Sequence, residues 1–68
     1  MQEKKIYRYR VKCIYISNKH HVEVWYLFCG EEKDKVLRKA ERTREKILEE
    51  VRDGSSKVLS LPKAPKEF

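Results

Sequence analysis

Two extended apolar-rich runs flank Ser17-Asn18-Lys19-His20, and their shared parity leaves few ways for this chain to fold. The first, KIYRYRVKCIYIS at 5–17, is rich in Tyr, Ile and Val and holds no Gly or Pro, the composition of a strand. Its odd positions are Tyr7, Tyr9, Val11, Cys13 and Tyr15, while Arg8, Arg10 and Lys12 fall on the even side with Ile6, Ile14 and Ile16. Successive side chains of a strand point to opposite faces, so an apolar-aromatic face is separated from a basic one. The second run, HVEVWYLFC at 21–29, places Val22, Val24, Tyr26 and Phe28 on one face and His21, Glu23, Trp25, Leu27 and Cys29 on the other. A two-residue loop at Asn18-Lys19 suits a tight hairpin, because Asn tolerates positive φ. That loop sets Tyr15 opposite Val22, Cys13 opposite Val24, Val11 opposite Tyr26 and Tyr9 opposite Phe28. A three-residue loop without a bulge would bring apolar positions opposite polar ones, whereas a four-residue loop keeps the parity.

Gly30 ends the second run, and Glu31, Glu32 and Asp34 place negative charge where a helix dipole favours it. Val36, Leu37, Ala40, Ile47, Leu48 and Val51 then recur at the helical period, with Thr43 and Arg44 interrupting the stripe. Gly54 reads as the C-terminal cap, giving a helix from about 31 to 53. At 1.5 Å per residue such a helix is roughly 34 Å long, and it is expected to match the hairpin end to end. KVLSL at 57–61 supplies a short third strand stopped by Pro62. Going up strand two, down the helix and up strand three puts the third strand antiparallel to the first. The expected fold is therefore α+β, a two-layer β-β-α-β unit with strand order 2-1-3 packed on one long helix. Residues 1–61 form the domain, and PKAPKEF at 62–68 is expected to be a flexible Pro/Lys tail or arm.

A chain of 68 residues allows one domain and a small core. Two cysteines do not make a disulfide framework, and no apolar run is long enough to span a membrane, so a reducing, cytoplasmic compartment and no membrane association are expected. The charged fraction of 41%, beside a single Asn and a single Gln, matches a thermophile composition. Net charge is +6 and unevenly spread. Residues 1–30 hold six basic and two acidic side chains, the helical segment 31–54 holds eight of each, and 55–68 holds three and one. Positive charge thus gathers on strands and tail, which favours a polyanionic partner.

If the helix covers the odd face of the first strand and the even face of the second, the other face stays open. It carries Arg8, Arg10 and Lys12 beside Trp25, with Lys19 at the turn and Lys63 and Lys66 in the tail. Cations take phosphates and an indole stacks on a base, so a non-catalytic nucleic-acid-binding role is the first expectation. A competing expectation is a protein partner on the apolar patch Ile14, Ile16, Trp25 and Leu27, either a larger complex or a second copy packed through the same sheet face.

Other signals weigh less. Cys13 to His20 and Cys29 to His21 are separated by roughly 20 Å or more of extended chain, too far to share zinc, so no metal or other cofactor is expected. Cys13 and Cys29 face opposite sides, which argues against a disulfide between them. The helical Arg38, Lys39, Arg42, Arg44 and Lys46 interleave with Glu41, Glu45, Glu49 and Glu50, as on a solvated face laced with ion pairs. No Gly-rich loop, catalytic triad or carboxylate in a cleft points to an enzyme.

Overall fold

A computed structural model describes residues 5–68; residues 1–4 of the expected domain lie outside the described residues. The elements are β1 (Tyr7–Ser17), β2 (His20–Gly30), α1 (Lys33–Arg52), β3 (Val58–Ser60) and β4 (Lys66–Glu67). The sheet order is β2-β1-β3, with β4 also on β1, and every pair is antiparallel. Asn18 and Lys19 both take positive φ, 45° and 68°, the type I′ turn whose twist matches that of the strands. The turn fixes the register at Tyr15↔Val22, Cys13↔Val24, Val11↔Tyr26 and Tyr9↔Phe28, so the four apolar pairs form as their parity requires.

α1 lies across β1 and β2. Among the described residues, Tyr9, Val11 and Cys13 from β1 and Val36, Ala40 and Ile47 from α1 form the buried core between sheet and helix. Val11 and Cys13 are sealed completely, at the centre of the contact. Gly30 makes the entry into the helix possible, since a Cβ there would sit 2.9 Å from Val36 Cγ2. At the other end Gly54, with φ 86°, closes a Schellman motif. Its N–H donates to Val51 O at 3.2 Å and that of Ser55 donates to Glu50 O at 2.9 Å, satisfying carbonyls the helix would otherwise leave open.

Helix and hairpin do not match end to end. Every residue from Ile16 to Glu23 is exposed, and Val22, expected in the core, is 47% accessible. The twenty helical residues span about 30 Å while eleven-residue strands reach about 36 Å, and the helix begins at the Gly30 end, so the hairpin tip overhangs.

The segment expected as a tail carries β4, and β3 and β4 lie on the same edge of β1 in the same direction. Tyr15↔Val58 and Ile14↔Ser60 are followed further along by Arg10↔Lys66 and Tyr9↔Glu67. The two short strands are one interrupted strand. Pro62 and Pro65 lack the N–H a ladder needs, so the chain leaves the edge between them and rejoins it after Pro65. Arg44 holds the departure point: its Nε donates to Pro62 O at 3.1 Å, and Pro62 is buried.

Candidate nucleic-acid interface

The register that fixes the core also fixes the opposite face. Lys12 stands across from Trp25 and Arg10 across from Leu27. The Arg10 guanidinium carbon lies 4.3 Å from the centre of the Trp25 ring, and Lys12 Nζ lies 5.2 Å from it. Both are cation–π distances, and Trp25 remains 41% accessible.

The interrupted edge strand adds a wall. Rejoining β1 at Arg10 brings Lys63, Ala64, Pro65 and Lys66 up beside the basic residues. Together with Arg10, Lys12 and Trp25 they line an open groove of about 500 Å³. Four cations surround one indole, and no carboxylate is among the lining residues. Beyond the groove Phe68 comes over the same arginine, with its ring centre 5.7 Å from the guanidinium carbon. The Phe68 N–H donates to Arg8 O at 3.1 Å, so the chain end is tied to β1 by its backbone. Arg10 is thereby held between two aromatic rings and is only half exposed.

Lys12 is also shared with Glu23 through an Nζ–Oε1 contact of 3.2 Å. Both side chains are close to half exposed, so solvent screens the pair and it holds Lys12 weakly. Lys63 and Lys66 have no carboxylate partner among the described residues. The site therefore offers two positioned cations on β1 and two others on the wall.

Of the residues singled out from the sequence, Arg10, Lys12 and Trp25 meet, and Lys63 and Lys66 join them. Arg8 shares their face, exposed, one side-chain step along β1 from Arg10 but outside the groove lining. Lys19 sits in the turn, seven residues along from Lys12 and so about 20 Å away, and takes no part in the groove. The patch of Ile14, Ile16, Trp25 and Leu27 is divided: the Lys12–Glu23 pair crosses the sheet between the isoleucines and the other two. Leu27 is 64% accessible, whereas Ile14 is half-buried.

Ala64, Pro65 and Phe68 were not anticipated from the sequence. One signal was available, in that the 58–68 segment is long enough to run past Arg10 and carries an aromatic residue, Phe68, at that distance.

The remaining polar chemistry lies elsewhere. Cys13 is buried, and desolvation pushes its thiol pKa up against the opposing effect of hydrogen bonds from Tyr15 and the Ile14 backbone. Cys29 is free and exposed. No group of three or more His, Cys, Asp or Glu that could hold a metal occurs among the described residues, and none of the described helices is long and apolar enough to cross a membrane. Compared with protein families, curated proteins and solved structures, the chain matches none.

Proposed function

We propose that this protein is a non-catalytic binder of single-stranded nucleic acid, taking phosphates along Arg10, Lys12, Lys63 and Lys66 and a base against Trp25. The observation that carries this reading is the composition of the groove: four cations around one accessible indole, with no carboxylate in the lining. Cations neutralise phosphates and release their counterions, and an aromatic face stacks on any base. The planar Arg10 guanidinium, 4.3 Å from the centre of the indole, extends that platform.

Single strands suit the groove better than duplex. A bare two-stranded ribbon fits the major groove, which is about 12 Å wide. Here β4 lies beside β1 at the level of Arg10, so the sheet is three strands wide at Trp25's neighbour, and the Lys63–Lys66 wall rises next to it. A splayed base enters such a groove without unpairing anything. The division of the apolar patch by the Lys12–Glu23 pair weighs against a protein partner on this face.

Trp25 is the sole tryptophan, so its fluorescence reports on the groove directly. Titration at low salt with a mixed-sequence single strand is expected to quench it, with weaker binding to a duplex of equal length. Absence of binding to either would overturn the proposal, and binding to duplex alone would overturn the choice of single strands.

A further inference from the structure

β2 ends the sheet. Among the described residues it pairs only with β1, so its outer edge is open over eleven residues. Which backbone groups face outward follows from the turn. A two-residue loop closes on a hydrogen-bonded pair, Ser17 and His20, and antiparallel pairs alternate from there. Two hydrogen bonds confirm the alternation on β1: the Ile16 N–H donates to Lys57 O at 3.1 Å, and Arg8 O accepts from the Phe68 N–H at 3.1 Å, both away from β2. Their partners His21 and Cys29, and with them Glu23, Trp25 and Leu27, thus turn N–H and C=O to the free side.

An edge of this length is normally guarded by lysines, a proline or a bulge. β2 has none of these. It holds no Lys, Arg or Pro, and its one carboxylate, on Glu23, is engaged by Lys12 at 3.2 Å. The Lys and Arg residues of the sheet sit instead on central β1 and, as Lys66, on β4 at the opposite edge, where they do not protect β2.

We propose that a second copy of this chain adds to this edge, β2 against β2, antiparallel and with Trp25 opposite Trp25. Three observations select this occupant and register. The first is the ladder. With Trp25 on the twofold axis, Glu23 faces Leu27 and His21 faces Cys29, so the five outward-facing residues of each copy meet and exchange about ten hydrogen bonds.

The second is the bare hairpin tip. In this register Val22 lies opposite Phe28 and Val24 opposite Tyr26, all on the core face. Val22, 47% accessible in one chain, gains an apolar neighbour at the end of β2 where the other copy's helix begins. The second copy thus covers the β2 side of the overhang, at Val22, that the chain's own helix leaves open.

The third is the helix. α1 lies over β1 and β2, so joining the sheets sets two helices two strand spacings apart, about 10 Å, the ordinary distance for packed helices. Arg44 reaches Pro62 on the β1 side. At the helical period the opposite flank, toward the β2 edge, carries Lys35, Lys39, Lys46 and Glu50, with Arg42 at its upper margin. Lys39 does line a cleft with Cys29 and Gly30 at the end of β2. Gly30 meets Val36, and Trp25 lies five residues from Gly30, about 17 Å, which is about eleven helical residues, so the axis passes near Lys46. Antiparallel helices crossing there set Arg42 of each copy against Glu50 of the other and Lys39 near Asp53. The basic half of one flank faces the acidic half of its partner, formed by Glu50 and Asp53, and Glu50 offsets the approach of the two Lys46 side chains.

This pairing stands independently of nucleic-acid binding. It also puts both grooves on the same outer face, with the β1 strands three spacings apart, about 14 Å, so that one strand of nucleic acid could run across both.

Sedimentation equilibrium tests the proposal. The expected mass is twice 8.3 kDa, falling toward the monomer on dilution. Leu27→Pro removes an outward N–H that β1 does not use, and it should yield a folded monomer. Arg42→Glu should weaken dimerisation about tenfold, and adding Glu50→Arg should restore it. The charge pair decides the matter should the proline variant fail to fold. In a Cys29→Ser background, Trp25→Cys should form an intermolecular disulfide, because facing hydrogen-bonded residues have Cα atoms about 5.5 Å apart. A monomer at every concentration overturns the proposal. So does a dimer indifferent to both the proline and the charge swap, since it would use another surface.

Discussion

Replacing Lys63 and Lys66 by alanine separates the contribution of the groove wall from that of β1. Four cations line the groove, two on β1 and two on the wall. For single strands the logarithm of the binding constant falls with the logarithm of salt at about 0.7 per phosphate contact, so four contacts give a slope of about 2.8. A fourfold rise in salt should then weaken binding about 50-fold in the parent protein. With the two lysines gone the slope should drop to about 1.4 and the same salt change should cost only about sevenfold. The folded core should be unaffected, since both lysines are exposed and have no carboxylate partner among the described residues. Trp25 quenching at several salt concentrations yields both slopes, with Lys19→Ala as the control expected to leave the slope unchanged. If the double variant keeps the parent slope, the wall does not touch phosphate and the groove is not the binding surface.

Gly30→Ala forces a Cβ to within 2.9 Å of Val36 Cγ2, and the overpacking should lower stability by about 1–3 kcal/mol in denaturant titrations, whereas Gly54→Ala should act through its positive φ alone. A thiol reagent should label one cysteine, Cys29, in the folded protein and a second only on unfolding, because Cys13 is buried and its thiol pKa is pushed up by desolvation. Tyr15 and Tyr26 share a hydroxyl–hydroxyl bond of 2.8 Å, and burial first, then that bond, raises the Tyr15 pKa above its ordinary value. The unfolded chain therefore releases the phenolic proton first, and stability should decline as the pH rises past about 10, the unfolded value. Tyr15→Phe should show a shallower decline in alkaline denaturation curves, and an equal decline would mean that Tyr15 is not the group responsible.

The hairpin was legible because its determinants are local. Parity of Tyr9, Val11, Cys13 and Tyr15 against Val22, Val24, Tyr26 and Phe28 admits one register for a two-residue turn, and a slip of one would turn one strand's apolar set to the outer face. The same parity places Arg10 and Lys12 beside Trp25. The helix and its Gly54 cap were equally local, resting on a 3.6-residue stripe and one glycine.

Two prolines in the C-terminal segment read as the end of strand structure, and locally they are. What they cannot encode is that the β1 edge beyond them still has unused backbone groups, near enough to recapture the chain at Lys66. A hydrogen-bonding edge belongs to the folded sheet and has no signature in the residues that later dock on it. The groove wall and the placement of Phe68 over Arg10 follow from that edge.

The overhanging tip has the same origin. Val22 satisfies the core pattern of its strand, yet whether anything lies above it depends on where the helix starts and stops. Alternation along the chain thus determined which residues share a face, and so the basic-aromatic surface itself. Only the tertiary structure decided which parts of each face are covered, because coverage is set by the relative lengths and positions of elements far apart in sequence.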